Sequence, residues 1–181
     1  MLPKKTKTKA ETANTIAIKM RVSLKISILS SVAFLLFSCG EKPVFDSYQS
    51  VGSAWHRDSI VSFDFEVRDS VIAYNLFLNI RANNKYPFNN IFLIVSHESP
   101  SEQIKVDTLE YIMASPDGKM LGNGFSDIKE SKLWFKENYR FSELGKHTLK
   151  IEQAMRKRNE IEGLERLEGV SDVGFSIEKF K

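Results

Sequence analysis

Seven residues, Val61-Ser62-Phe63-Asp64-Phe65-Glu66-Val67, alternate strictly between apolar and polar side chains. Successive side chains of a β-strand point to opposite faces, so this run places Val61, Phe63, Phe65 and Val67 against a core and the residues between them in water. The same period recurs along the chain. Ile72, Tyr74, Leu76, Leu78 and Ile80 form an apolar face, and Val71, Ala73 and Phe77 opposite them mark a central strand covered on both sides. Ile91 to Val95 is apolar without alternation, as in a strand buried on both faces. Leu109, Tyr111 and Met113 follow, then the turn Ser115-Pro116-Asp117-Gly118, then strands around Leu149 and Ile151 and around Val173, Phe175 and Ile177. At least six strands are expected.

Between them, Gly122 to Glu137 shows no sustained period and reads as a long crossing loop. Arg156 to Glu168 is strongly charged, with Ile161, Leu164 and Leu167 spaced by three, which suits one or two helical turns or a hairpin excursion. Strands do not alternate with long helices, so a parallel sheet is disfavoured. The expected fold is all-β, an antiparallel β-sandwich of the immunoglobulin-like or jelly-roll kind, behind an N-terminal signal-peptide helix.

The N-terminus explains that helix. From Met20, Arg21 and Lys25 make a basic start and Ile26 to Phe37 a largely apolar core of about a dozen residues, short of the roughly 20 needed to span a bilayer. Translation starting at Met20 and an extended basic region starting at Met1 both remain open. The core ends in Leu35-Leu36-Phe37-Ser38-Cys39-Gly40, which resembles a lipobox. Cleavage after Ser38 is expected to leave Cys39 as the lipidated first residue. Its thiol would carry a diacylglycerol as a thioether and its freed amine a further acyl chain, and two or three chains together give lasting attachment. Cys39 is the only cysteine, and this placement accounts for an otherwise unpaired thiol in an exported chain. The expected organisation is a leader over 1–38, a tether over 39–43 and one sandwich domain over 44–181. Gly40-Glu41-Lys42 has no Asp directly after the cysteine, which favours an outer-membrane lipoprotein facing the periplasm.

That division changes the meaning of the net charge of +3. Seven of the 26 Lys and Arg and one of the 23 Asp and Glu precede Cys39, leaving 19 basic against 22 acidic residues, net −3, after it. The basic footprint of a nucleic-acid binder is gone.

Little in the mature chain suggests catalysis. His56, His97 and His147 fall in different expected elements, with no second ligand at metal-binding spacing. His97 beside Glu98 reads as a solvated pair at a strand end. There is no Gly-x-Ser-x-Gly elbow or phosphate-binding loop, and Gly122-Asn123-Gly124 reads as a turn needing positive φ. No catalytic residue, metal or cofactor is expected. Trp55, Trp134, Phe135 and Tyr139 are placed in or beside loops, where they either plug the ends of the sandwich or contact a partner, protein or glycan. The run Arg156-Lys157-Arg158 reads as an exposed charged loop.

Three stretches together resemble the GldH family of gliding-motility lipoproteins of Bacteroidetes. They are Leu121-Gly122-Asn123-Gly124-Phe125-Ser126-Asp127-Ile128, Ile151-Glu152-Gln153-Ala154-Met155-Arg156 and Leu167-Glu168-Gly169-Val170-Ser171-Asp172-Val173-Gly174. The resemblance implies a non-enzymatic, membrane-tethered part of the gliding machinery, linked with type IX secretion. It would be held by membrane lipid through Cys39 and act through unidentified machinery proteins. A glycan-binding envelope lipoprotein is the alternative.

Overall fold

The computed structural model describes residues 42–124, 126–157 and 159–181. The expected leader helix and the lipidated Cys39 lie outside them. Ten strands follow in order: β1 Phe45–Ser50, β2 Ala54–His56, β3 Val61–Val67, β4 Tyr74–Ala82, β5 Asn90–Glu98, β6 Ile104–Ile112, β7 Lys129–Tyr139, β8 Gly145–Gln153, β9 Arg166–Glu168 and β10 Val170–Lys179. All pairings are antiparallel. One sheet has the order β1-β10-β4-β7 and the other β3-β8-β5-β6, with β2-β9 as a small third ribbon. Of the two sandwich types left open by the sequence, this eight-strand order is the jelly roll, in which most neighbours in a sheet are far apart in the chain.

The alternating faces meet as expected. Phe63, Phe65, Leu149, Ile151, Leu93 and Val95 from one sheet pack with Leu76, Leu78, Ile80, Val173, Phe175 and Ile177 from the other. At the centre Phe65 lies 5.3 Å from Phe175, 5.7 Å from Phe45 and 5.8 Å from Phe141, the spacing of offset and edge-on aromatic pairs. The β4 strand sits inside its sheet, but it is not apolar on both sides: Val71 and Ala73 precede it, Val71 being exposed, and Phe77 shares the outer face with Asn75, Asn79 and Arg81.

Other expectations are also corrected. The long loop over Gly122 to Glu137 instead gives way to β7, an eleven-residue strand. Its pairing with β4 slips at Phe135, where Trp134 faces Phe77 but Lys136 faces Leu76, and this bulge hides the period of two. Ile91 to Val95 is not buried on both faces: β5 alternates, leaving Phe92 and Ile94 half-buried on the outside. Of the two readings of the charged segment after β8, the helical one fails: its described residues form no helix, the Leu164 N–H donates back to the Met155 carbonyl, and Arg166–Glu168 pairs with β2.

Finally, Gly122 and Gly124 do not adopt positive φ. They are small because two backbones meet there: Asn123 and Glu130 exchange N–H to O bonds of 2.8 Å each, and a Cβ on Gly122 would stand 2.6 Å from the Glu130 carbonyl oxygen. Gly122→Ala is therefore expected to cost about 1–3 kcal/mol by forcing the two segments apart. Urea denaturation measures this, and an unchanged midpoint would contradict the close-approach account.

Candidate interaction face

The four aromatics singled out by sequence separate into different environments. Trp55, on β2, is fully buried, and its indole Nε1–H donates to the Ser59 carbonyl at 2.8 Å. Phe135 is buried on the inner side of β7, and Tyr139, at the end of that strand, packs edge-on against Phe141 at 5.0 Å. All four lie in strands rather than loops. Trp134 alone is largely open, at 52% of its full exposure.

The strand alternation puts Trp134 on the outer face of the β1-β10-β4-β7 sheet. There it lies 4.5 Å from Phe77, which is nevertheless buried, because Lys132 also covers it with its ammonium 4.1 Å from the ring centroid. Lys132 is fixed in turn by Glu178 at 2.6 Å. Beside it, Asn79 donates to the Ser176 hydroxyl at 3.0 Å, both groups being buried on what would otherwise be a solvent face.

Farther along, three strands contribute one network. Arg81 of β4 holds the Glu130 carboxylate of β7 at 2.7 Å and lies 4.0 Å over the ring of Tyr48 from β1, whose hydroxyl donates to the other Glu130 oxygen at 3.0 Å. Gly174 of β10 makes room: a Cβ there would come within 2.6 Å of the Tyr48 ring. Burial, and then the hydrogen bond to Glu130, hold the Tyr48 phenol protonated well above its ordinary range. The hydrogen bond to Glu130 fixes the Arg81 charge, and burial followed by the nearby Glu130 raises the Asp46 carboxyl.

None of these groups is a nucleophile paired with a base. What they present is a sheet face carrying one exposed Trp, a Tyr-Arg stack and charges pinned in place, the residue types that anchor protein interfaces. Sequence inspection picked out Trp134 but not its neighbours, because Tyr48, Arg81, Glu130 and Ser176 are brought together only by strand order.

A second grouping is also tertiary. His97 of β5 and His147 of β8 stack at 5.1 Å, and His97 Nε2 lies 3.0 Å from His147 Nδ1. His97 is thus a buried core residue, not half of a solvated pair with Glu98. His147 Nε2 sits 3.0 Å from the Glu143 carbonyl, which can only accept, so in the neutral ring Nδ1 is the acceptor and His97 donates to it. Burial, and after it His147, pushes His97 down to about 4. Among the described residues no three His, Cys, Asp or Glu side chains are grouped to hold a metal ion.

Of the other residues in the resembling stretches, Gln153 is structural: its amide donates to the Leu164 carbonyl at 2.7 Å and accepts from the Met155 N–H at 2.9 Å. Asp172 accepts from the Ser171 hydroxyl at 2.8 Å.

A family model described as GldH lipoprotein matches residues 43–177. The gliding motility lipoprotein GldH of Flavobacterium johnsoniae is 60% identical over 152 residues, covering 84% of this chain and 94% of the relative. The gliding motility lipoprotein GldH homolog of Christiangramia forsetii is 48% identical over 160 residues, covering 88% and 98%. Among solved structures, a family GH115 4-O-methyl-α-glucuronidase superposes on 80% of this chain and 18% of its own, at a TM-score of 0.42 and 10% identity, too loosely to bear on function.

Proposed function

The chain belongs to the GldH lipoprotein family, and from that premise we propose that it is a lipid-anchored, non-enzymatic component of the gliding motility machinery that works through protein contacts. Kinship with two gliding motility lipoproteins over nearly their whole lengths carries this reading. Cys39 is the lipidated residue, residues 1–38 are the leader removed to expose it, and the anchor holds the sandwich domain to the outer membrane on its periplasmic side. A link with type IX secretion is part of the same proposal.

The contact face is the outer side of the β1-β10-β4-β7 sheet around Trp134. Its protein partner docks against the exposed indole and the fixed charges of Lys132 and Arg81. A glycan partner is the second reading, and it draws on Trp134 alone, since Trp55 and Phe135 are buried.

In a gliding host, deletion of the gene is expected to abolish surface spreading, and the wild-type gene to restore it. A deletion strain that spreads normally would end the gliding assignment. Cys39→Ser is expected to leave an uncleaved precursor that takes up no fatty-acid analogue, and label retained in that variant would end the anchor assignment. Trp134→Ala is expected to fold at normal abundance yet restore spreading poorly. Saturable quenching of Trp134 fluorescence by a polysaccharide would shift the partner from protein to glycan.

A further inference from the structure

The end of the sandwich at which the described chain begins carries features that neither the interaction face nor the anchor explains. Val44, just before β1, is half-exposed, as are Phe180, just after β10, and Leu144, just before β8. Val71, in the turn entering β4, is 82% exposed. These positions belong to one end of the fold. The Phe180 N–H donates to the Ala73 carbonyl at 2.9 Å, the Val44 N–H to the Ile177 carbonyl at 2.7 Å, and Val67 is the register partner of Gly145.

Basic side chains stand among them: Lys42, Arg68, Arg140 and Lys179. Arg140 is directed toward the Val71 turn, its Nε donating to the Val71 carbonyl at 3.3 Å. Several acidic neighbours are already engaged: Asp69 accepts from the Val71 and Ile72 N–H groups, Glu143 from Ser101, and Glu66 faces Arg68 at 3.4 Å. A cleft of about 320 Å³ opens between the sheets at this end, lined by Val44, Phe45, Val67, Phe141 and Ile177 beside the Glu66–Arg68 pair.

The opposite end also exposes apolar side chains, among them Ile60, Leu121 and Ile161. Chain connectivity distinguishes the two. Cys39 is three residues before Lys42, so a fully extended chain spans at most about 11 Å between them.

We propose that this end, through Val44, Val71, Leu144 and Phe180 with the cations of Lys42 and Lys179, is a membrane-contact surface that rests on a phospholipid leaflet bearing anionic headgroups. Apolar side chains at the rim enter the boundary between headgroups and acyl chains while the basic groups meet the phosphates, the division of labour seen in interfacial membrane binding. The lipid anchor then sets a fixed posture for the domain instead of a free swing. The β1-β10-β4-β7 face stands sideways to the bilayer, where a partner can reach it. The proposal rests on lipidation of Cys39.

The test uses the full lipidated chain reconstituted in vesicles of phosphatidylcholine with or without phosphatidylglycerol. It compares an environment-sensitive fluorophore on Val71→Cys or Phe180→Cys with the same label on Ile161→Cys. Flotation with the vesicles confirms the anchor first, so a protein that fails to float refutes the lipidation reading before any docking is measured. In floating protein, labels at 71 and 180 are expected to shift to the blue and to be quenched by brominated lipid several-fold more than the label at 161, most strongly with phosphatidylglycerol. Equal responses at the two ends, or none at either, overturn the contact surface. A shift of the same size in both lipid mixtures overturns the anionic headgroup as its partner.

Discussion

Trp55→Ala is expected to cost about 3–5 kcal/mol, the range for removing a fully buried aromatic side chain and leaving a cavity. Trp55 has no exposed surface, pairs with Leu167 across the β2-β9 ribbon, and uses its indole N–H to hold the Ser59 carbonyl at 2.8 Å. A loss of that size is a large part of the roughly 5–15 kcal/mol that holds a typical domain together. Trp55→Phe keeps most of the apolar volume and loses the hydrogen bond to a carbonyl that water can reach at the exposed Ser59, so it should cost less, with about 0.5–1.5 kcal/mol from that bond. Urea melts of the two variants measure both values. In cells, Trp55→Ala should then impair spreading by lowering the amount of folded protein, whereas Trp134→Ala should leave that amount near normal. A Trp55→Ala protein that melts like the wild type would show that the ribbon is not part of the core.

The contrast between these two tryptophans marks how far the sequence was legible. Strand β3 was readable residue by residue because its alternation is unbroken and one face is dry. Strand β4 was readable on its inner face only: of the residues expected to cover the other, Val71 and Ala73 precede the strand, and Phe77, its one outward apolar residue, is covered by Trp134 and Lys132 rather than by a second layer of fold. Strand β7 was not readable. Its bulge at Phe135 puts two successive residues out of phase, and its outer face carries a Trp between charged residues, so local pattern and chain composition both point to a loop. Strands β2 and β9 have three residues each, too few to show any period.

The interaction face was less legible still. Tyr48, Arg81 and Glu130 are neighbours because the jelly-roll order sets β1 and β4 on either side of β10 and β7 beside β4. That order depends on long-range pairing that no local window contains. Cys39 is the opposite case: the expectation of its lipidation draws only on the residues just before it, and it lies outside the described residues.

The histidine pair joins both kinds of reasoning, since the residues are plain in the sequence and their 3.0 Å contact is set only by the β5-β8 register. It leads to an expected loss of stability in mild acid. The His97 imidazole is pushed from an ordinary 6.5 down to about 4 in the fold, first by burial and then by His147. Between those two values the unfolded chain takes up a proton that the folded protein refuses. The contribution of this group is therefore fully present above pH 6.5 and is lost progressively as the pH falls to about 4. Below that, His97 is protonated in both states and adds no further slope. At about 1.4 kcal/mol per unit of pKa, the loss is on the order of 1–3 kcal/mol. Carboxylates titrate in the lower part of the window, so the measurement is a comparison: urea melts of the wild type and His97→Gln at pH 7.5, 6, 5 and 4. Glutamine places an amide donor near His147 Nδ1 without a titrating ring, and the variant should lose less stability over that range. Parallel losses in the two proteins would show that protons enter elsewhere and that the buried pair does not set the acid sensitivity of the fold.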